Sequence, residues 1–176
     1  MLLTALPTVD PVEQAAPGPA ELLDLARRLA AEPGLVDRLP AESAERTWLP
    51  LPAPPGTKAW LIAWPTGTGT GWHDHGDTQG AMVVVTGQLT ERSTELPVGH
   101  DLSLGLDLPS EDSRLHRFTA GLGRSFTERH VHEVTNEGPA TAYSVHVYNP
   151  ELTLMRRYVP SRGRLWLIGS ESAGEW

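Results

Sequence analysis

The chain has 176 residues, a formal net charge of −8 and no cysteine. The charge excludes nucleic acid and an anionic membrane surface as expected partners, because both need a basic face. The missing cysteine excludes disulfides, thiolate metal sites and a thiol nucleophile.

The length suits one domain with a small appendage. Seventeen glycines and sixteen prolines suit short strands joined by turns. No apolar run approaches the ~20 residues that span a bilayer. The opening Met1–Pro7 lacks the basic and apolar regions of a signal peptide. A soluble cytoplasmic protein is the expectation.

Residues 1–19 are rich in proline and alanine and read as an extended arm. A helix is expected from Pro19 to Ala31, with Leu22, Leu25, Ala26 and Leu29 on one stripe. Pro19 suits its first turn, and Pro33-Gly34 stops it. A short second helix is expected over Leu35–Leu39. From Thr47 onward the character is that of strands: Thr47–Leu51, Lys58–Trp64, Ala81–Thr86 and Gln88–Glu95. A loop follows over 97–113. Further strands are expected at Leu115–Phe118, Arg124–Thr127, Arg129–Thr135, Ala142–Tyr148, Leu154–Val159 and Arg164–Ile168, and a tail from Ser170. Short strands at regular spacing after one helix predict an all-β antiparallel sandwich or small barrel.

Three patterns carry chemistry. The first is His73-Asp74-His75 at the end of a glycine-rich turn. On a strand, positions i and i+2 share a face, so both imidazoles aim at one point, and imidazole is the commonest metal ligand. The second is His130-Val131-His132 with Asn136; strand spacing alone leaves both histidines as candidates. The third is Ser144-Val145-His146-Val147-Tyr148, which puts three polar groups on one strand face and two valines on the other. Trp60, Trp64 and Trp72 read as packing or a pocket wall. Asp74 reads as a structural group at the turn, and His100 and His116 as exposed.

The run Gly67, His73, His75, Gly80, Gly87 resembles the first signature of the cupin superfamily. Gly80, or Gln79 with one residue less, stands where that signature has its acidic ligand. Gly121, His132 and Asn136 resemble the second signature, and the Asn136 spacing selects His132 over His130. The ordered set, with Ser144, His146, Tyr148 and Pro150, resembles the cysteine dioxygenase family over about residues 46–159. It is most similar to the bacterial branch, since without cysteine no Cys–Tyr cross-link can form.

The resemblance implies a cupin fold with an N-terminal helical region. It divides the chain into residues 1–45 (arm and helical region), 46–170 (cupin barrel) and 171–176 (tail). It implies one Fe(2+) held by His73, His75 and His132, and a relay of Ser144, His146 and Tyr148, the tyrosine lying near bound substrate. Arg46 falls near the position of the family's carboxylate anchor, and Arg156 and Arg157 are weaker candidates for that role. The expected activity is oxidation of a small thiol by O2 to a sulfinic acid. Cysteine is the first candidate; 3-mercaptopropionate, mercaptosuccinate or a bulkier thiol are alternatives. A cupin using another metal, or a non-catalytic one that binds a small ligand, are the rival classes. The expected partners are therefore the thiol and O2, in a monomer or weak homo-oligomer.

Overall fold

The computed structural model describes residues 15–40, 43–108 and 115–172. Most of the expected arm, residues 109–114 of the loop and 173–176 of the tail lie outside the described residues. Helix α1 (Pro19–Ala30) is followed by twelve strands. These are β1 (Thr47–Leu51), β2 (Lys58–Trp64), β3 (Trp72–Asp74), β4 (Gln79–Thr86), β5 (Gln88–Glu95) and β6 (Leu106–Asp107). Then come β7 (Leu115–Thr119), β8 (Gly123–Phe126), β9 (His130–Thr135), β10 (Ala142–Asn149), β11 (Leu154–Ser161) and β12 (Arg164–Ser172). The expected second helix is a single 3-10 turn, Val36–Arg38. β12 runs to Ser172, so residues 170–172 belong to a strand and not to a tail. Among the described residues no helix is long and apolar enough to cross a membrane.

The strands form two antiparallel sheets, ordered β1-β2-β10-β4-β8 and β6-β12-β11-β3-β9-β5-β7. They curl into a half-barrel of the double-stranded β-helix, or cupin, type. α1 lies on the outer face of the first sheet. Its Leu22, Ala26 and Leu29 share a core cluster with Ala59, Leu61, Ala81, Val83, Val145 and Val147. Each large aliphatic side chain buried there contributes about 1.5–3 kcal/mol. Glu21 in the first turn and Arg27 and Arg28 in the last suit the helix dipole.

This packing orients the site. In β10, Val145 and Val147 point out to α1, so Ser144, His146 and Tyr148 must point into the barrel. An ordinary half-solvated strand would expose one of these faces, but here all five residues are buried. β10 is central in its sheet, between β2 and β4.

The second sheet aligns the histidines. His73 on β3 is directly opposite His132 on β9. The loop after β3 is pinned by Asp74, which is fully buried. Its carboxylate accepts from Gly76 N (2.8 Å), Tyr158 Oη (2.5 Å) and Arg156 Nη1 (3.2 Å). Gly76 follows at φ 61°, a left-handed conformation that favours glycine. The side chain expected to be structural thus sets the path of the chain between two histidines. The described part of the 97–113 loop packs Leu102, Leu106 and Leu108 against Trp72, Val131, Tyr158 and Leu165, away from the cavity described below.

Replacing Asp74 with Ala removes the acceptor for the Tyr158 hydroxyl and the Arg156 guanidinium inside the barrel wall. The variant is expected to lose about 2–4 kcal/mol of stability, read as a lower denaturation midpoint in urea.

Candidate functional site

His73, His75 and His132 converge, all buried. One ring nitrogen of each lies within 4.8 Å of those of the others. Two of the three are oriented by acceptors behind them. His73 Nδ1–H donates to Gly71 O at 3.0 Å. His132 Nδ1–H donates to the Glu91 carboxylate at 2.7 Å. With the proton on Nδ1, each ring keeps its Nε2 lone pair for the common centre. Both His75 ring nitrogens are buried without a hydrogen-bond partner, which is costly unless something completes them. Burial, and then the neighbouring His132, hold the His73 pKa well below its ordinary value. Burial, and then His73 and His132, do the same for His75. Both rings are neutral at pH 7, the state a metal requires. The donor set fits a divalent metal ion with open coordination positions.

Gly80 explains why the set has no carboxylate. It sits on β4 between Tyr148 on β10 and Phe126 on β8. A Cβ there would lie 2.6 Å from Val147 O and 2.7 Å from Phe126 Cζ, so no side chain fits. The space beside the histidines is taken by Phe126, whose ring stacks on His75 at 5.0 Å.

His130 and His132 share a strand face, as their spacing predicts, but only His132 joins His73 and His75. His130 Nε2 instead contacts Glu91 at 3.0 Å. Asn136 acts mechanically. Its side-chain amide donates to Trp64 O (2.7 Å) and Ala140 O (2.9 Å), tying the end of β9 to the end of β2.

Ser144, His146 and Tyr148 form a buried chain. His146 lies 2.9 Å from Ser144 Oγ through Nε2 and 3.2 Å from Tyr148 Oη through Nδ1. Trp64 Nε1–H donates to the same Ser144 oxygen at 2.8 Å. Indole can only donate, so it fills an acceptor position on Ser144. The chain can run in either direction, according to the His146 tautomer. With Ser144 donating to His146 Nε2 and His146 Nδ1–H donating to Tyr148 Oη, the Tyr148 hydrogen is left free for the cavity. Burial, and then His132 and Arg46, push the His146 pKa down to about 3, and burial raises that of Tyr148. Both stay neutral. Trp64 lines the cavity, one of the two roles expected of it, and also holds Ser144.

An open cavity of about 100 Å³ connects these groups. His73, His132, His146 and Tyr148 line it together with Arg46, Arg157, Trp60 and Leu152; His75 is not among the lining residues. Arg46 precedes β1 and is half-buried, its guanidinium 5.1 Å from the Trp64 ring centroid. Among the described residues it forms no ion pair. Arg157, the weaker anchor candidate, also lines the cavity. It donates to Thr70 O (3.3 Å) and pairs with Glu171 (2.6 Å). Arg156 lies outside, on Asp74. His116 is exposed as expected, whereas His100 is half-buried with an unpartnered Nε2.

Glu91 was not foreseen. It looks like one more polar residue of β5, yet it is fully buried. Burial alone would raise its pKa; hydrogen bonds from His130 and His132 outweigh that and hold the carboxyl well below its usual range. Its position beside the histidines depends on the pairing of β5 with β9. The sequence carries little signal for it, since β5 (QLTERSTE) is polar along most of its length.

Among solved structures, the chain is similar to TT1209 from Thermus thermophilus, with 16% identity and a TM-score of 0.50, covering 65% of this chain and 93% of that one. It is also similar to an uncharacterized conserved protein with a double-stranded β-helix domain from Klebsiella pneumoniae, with 15% identity and a TM-score of 0.50, covering 76% and 94%. These likenesses support the fold alone. No curated protein matches in sequence. The family model for cysteine dioxygenase type I matches residues 16–161. That span takes in α1, every strand of the half-barrel up to β11, and all the histidines described above, and the chain belongs to the cysteine dioxygenase type I family.

Proposed function

We propose that the chain is an iron(II)-dependent thiol dioxygenase that converts a small carboxylate-bearing thiol and O2 to the sulfinic acid, with cysteine the first candidate. The observation that carries this reading is the convergence of three buried histidines beside a cavity that also presents the Tyr148 hydroxyl and the Arg46 guanidinium. His73, His75 and His132 would hold the iron. A ferrous ion there would supply open coordination positions for thiolate and dioxygen, and the redox chemistry of oxygen insertion.

The remaining roles belong to the chain. Three uncharged ligands leave the ion's positive charge unneutralised, which favours an anionic thiolate over a neutral thiol. Arg46 binds the substrate carboxylate by charge-assisted hydrogen bonds; the cation is held at the cavity by the Trp64 face. Ser144 and His146 fix the Tyr148 oxygen so that its O–H points at the reacting sulfur and oxygen atoms. Trp60, 5.4 Å from the Tyr148 ring, and Leu152 limit water at that point. Chemistry and O2 are shared by every substrate considered; the thiol is chosen by the cavity.

A second reading keeps the reaction and changes the thiol. Burial, and then the nearby Arg157 charge, lower the Arg46 pKa, so two guanidinium groups repel across one cavity. A thiol with two carboxylates, such as mercaptosuccinate, would meet both. Arg157 is already partly neutralised by Glu171, which favours the single carboxylate.

Anaerobic reconstitution with Fe(II), followed by oxygen uptake against a panel of thiols with sulfinate detected by mass spectrometry, tests the reading. Thiol-dependent uptake with stoichiometric sulfinate is expected; iron binding without any uptake sinks it. His132→Ala is expected to abolish iron binding, measured by metal analysis after gel filtration, while His130→Ala retains the ion. Arg46→Ala is expected to raise KM for carboxylate thiols roughly 10–100-fold, the loss of one charge-assisted contact. KM for cysteamine, which has no carboxylate, should barely move.

A further inference from the structure

The cupin-type carboxylate ligand is missing from this chain, yet a carboxylate lies one hydrogen bond from the site. Glu91 on β5 directs Oε1 at His132 Nδ1 (2.7 Å) and at His130 Nε2 (3.0 Å). Its Oε2 accepts from Arg124 Nη1 at 2.9 Å. Both oxygens are thus held, and the carboxylate has no freedom to turn. The three candidate ligands are backed unequally. Behind His73 is a neutral carbonyl, Gly71 O. Behind His75 there is no hydrogen-bond partner. Only His132 is backed by a charge.

An ionised carboxylate accepting the Nδ1–H of an imidazole fixes the tautomer and ring orientation and makes Nε2 a stronger donor. It also places one negative charge near a site whose direct ligands carry none. Building that charge into the interior costs several kcal/mol unless the carboxylate is fully paired. Here His130, buried to 3% exposure, and Arg124, about one-third exposed at the barrel surface, supply the pairing. His130 therefore has a function without being a ligand.

We propose that Glu91 is a positioning residue for the metal site. It holds His132 with Nε2 toward the ion and supplies, one bond removed, the negative charge that Gly80 and Phe126 exclude from the coordination sphere. His130 and Arg124 clamp Glu91 in that role. The proposal rests on the reading of His73, His75 and His132 as metal ligands.

The test is calorimetric titration of the metal-free protein with Co(II), and with Fe(II) under anaerobic conditions, alongside thermal unfolding of each metal-free variant. Wild type is expected to bind one ion and His132→Ala none. Glu91→Gln keeps the shape and one acceptor but removes the charge. It is expected to weaken binding about 10–100-fold and to shift the Co(II) absorption bands, at temperatures where the variant is folded. Arg124→Gln changes only the outer clamp at the surface and is expected to weaken binding a few-fold; it carries the test if Glu91→Gln does not fold. Unchanged metal affinity and Co(II) spectrum in the folded variant, with only the unfolding temperature lowered, would overturn the proposal and leave the metal site standing. If wild type binds no metal, the metal-site reading falls first, and this inference with it.

Discussion

The structure depends on one constraint: a polar face buried inside a strand barrel. Ser144, His146, Tyr148, His73, His75, His132 and Glu91 are all nearly inaccessible. In an antiparallel sheet one face usually meets water, and such residues would then cost nothing. Here α1 covers the valine face of β10, and the second sheet closes over the other. Each inward polar atom must find a partner, and most do. Among the described residues, the buried side-chain atoms left without one belong to His75 and His100.

That constraint explains the division of labour around the centre. Backbone geometry sets the metal-ligand candidates, because His73 and His132 are cross-strand neighbours and His75 follows one pinned turn later. Asp74 directs its charge to Tyr158 and Arg156 and so stays out of the centre. Gly80 is not a neutral gap: Val147 O and Phe126 leave no room for a side chain. A three-histidine arrangement is the result of packing as much as of ligand chemistry. The negative charge is moved outward to Glu91, where Arg124 and His130 can share it.

The cavity combines two kinds of group. Tyr148 and His146 both remain uncharged through burial. Arg46 and Arg157 line the same cavity, one facing Trp64 and one tied to Glu171. A small anion with a soft end and a carboxylate would meet both kinds of group. The proposed substrates share that shape, and the balance between one and two carboxylates turns on how strongly Glu171 holds Arg157.

Much of the fold was legible in the sequence. α1 was readable because Leu22, Ala26 and Leu29 repeat at helical spacing, and the strands because short apolar runs are bounded by glycine and proline. The two-residue strand period grouped His73 with His75, His130 with His132, and Ser144 with His146 and Tyr148; the resemblance to the cupin signatures, through Asn136, chose His132 over His130. Which face looks inward was not readable, since that depends on α1 docking against Val145 and Val147. Glu91 was hidden for the same reason: within β5 it looks like any polar strand residue, and only pairing with β9 sets it against His130 and His132. That Arg157 lines the cavity was likewise not readable, since it depends on β11 pairing with β3. Local periodicity by itself determined which side chains stand together along each strand. The tertiary structure alone decided what they face, because the partners come from strands distant in sequence and burial is a property of the assembled barrel.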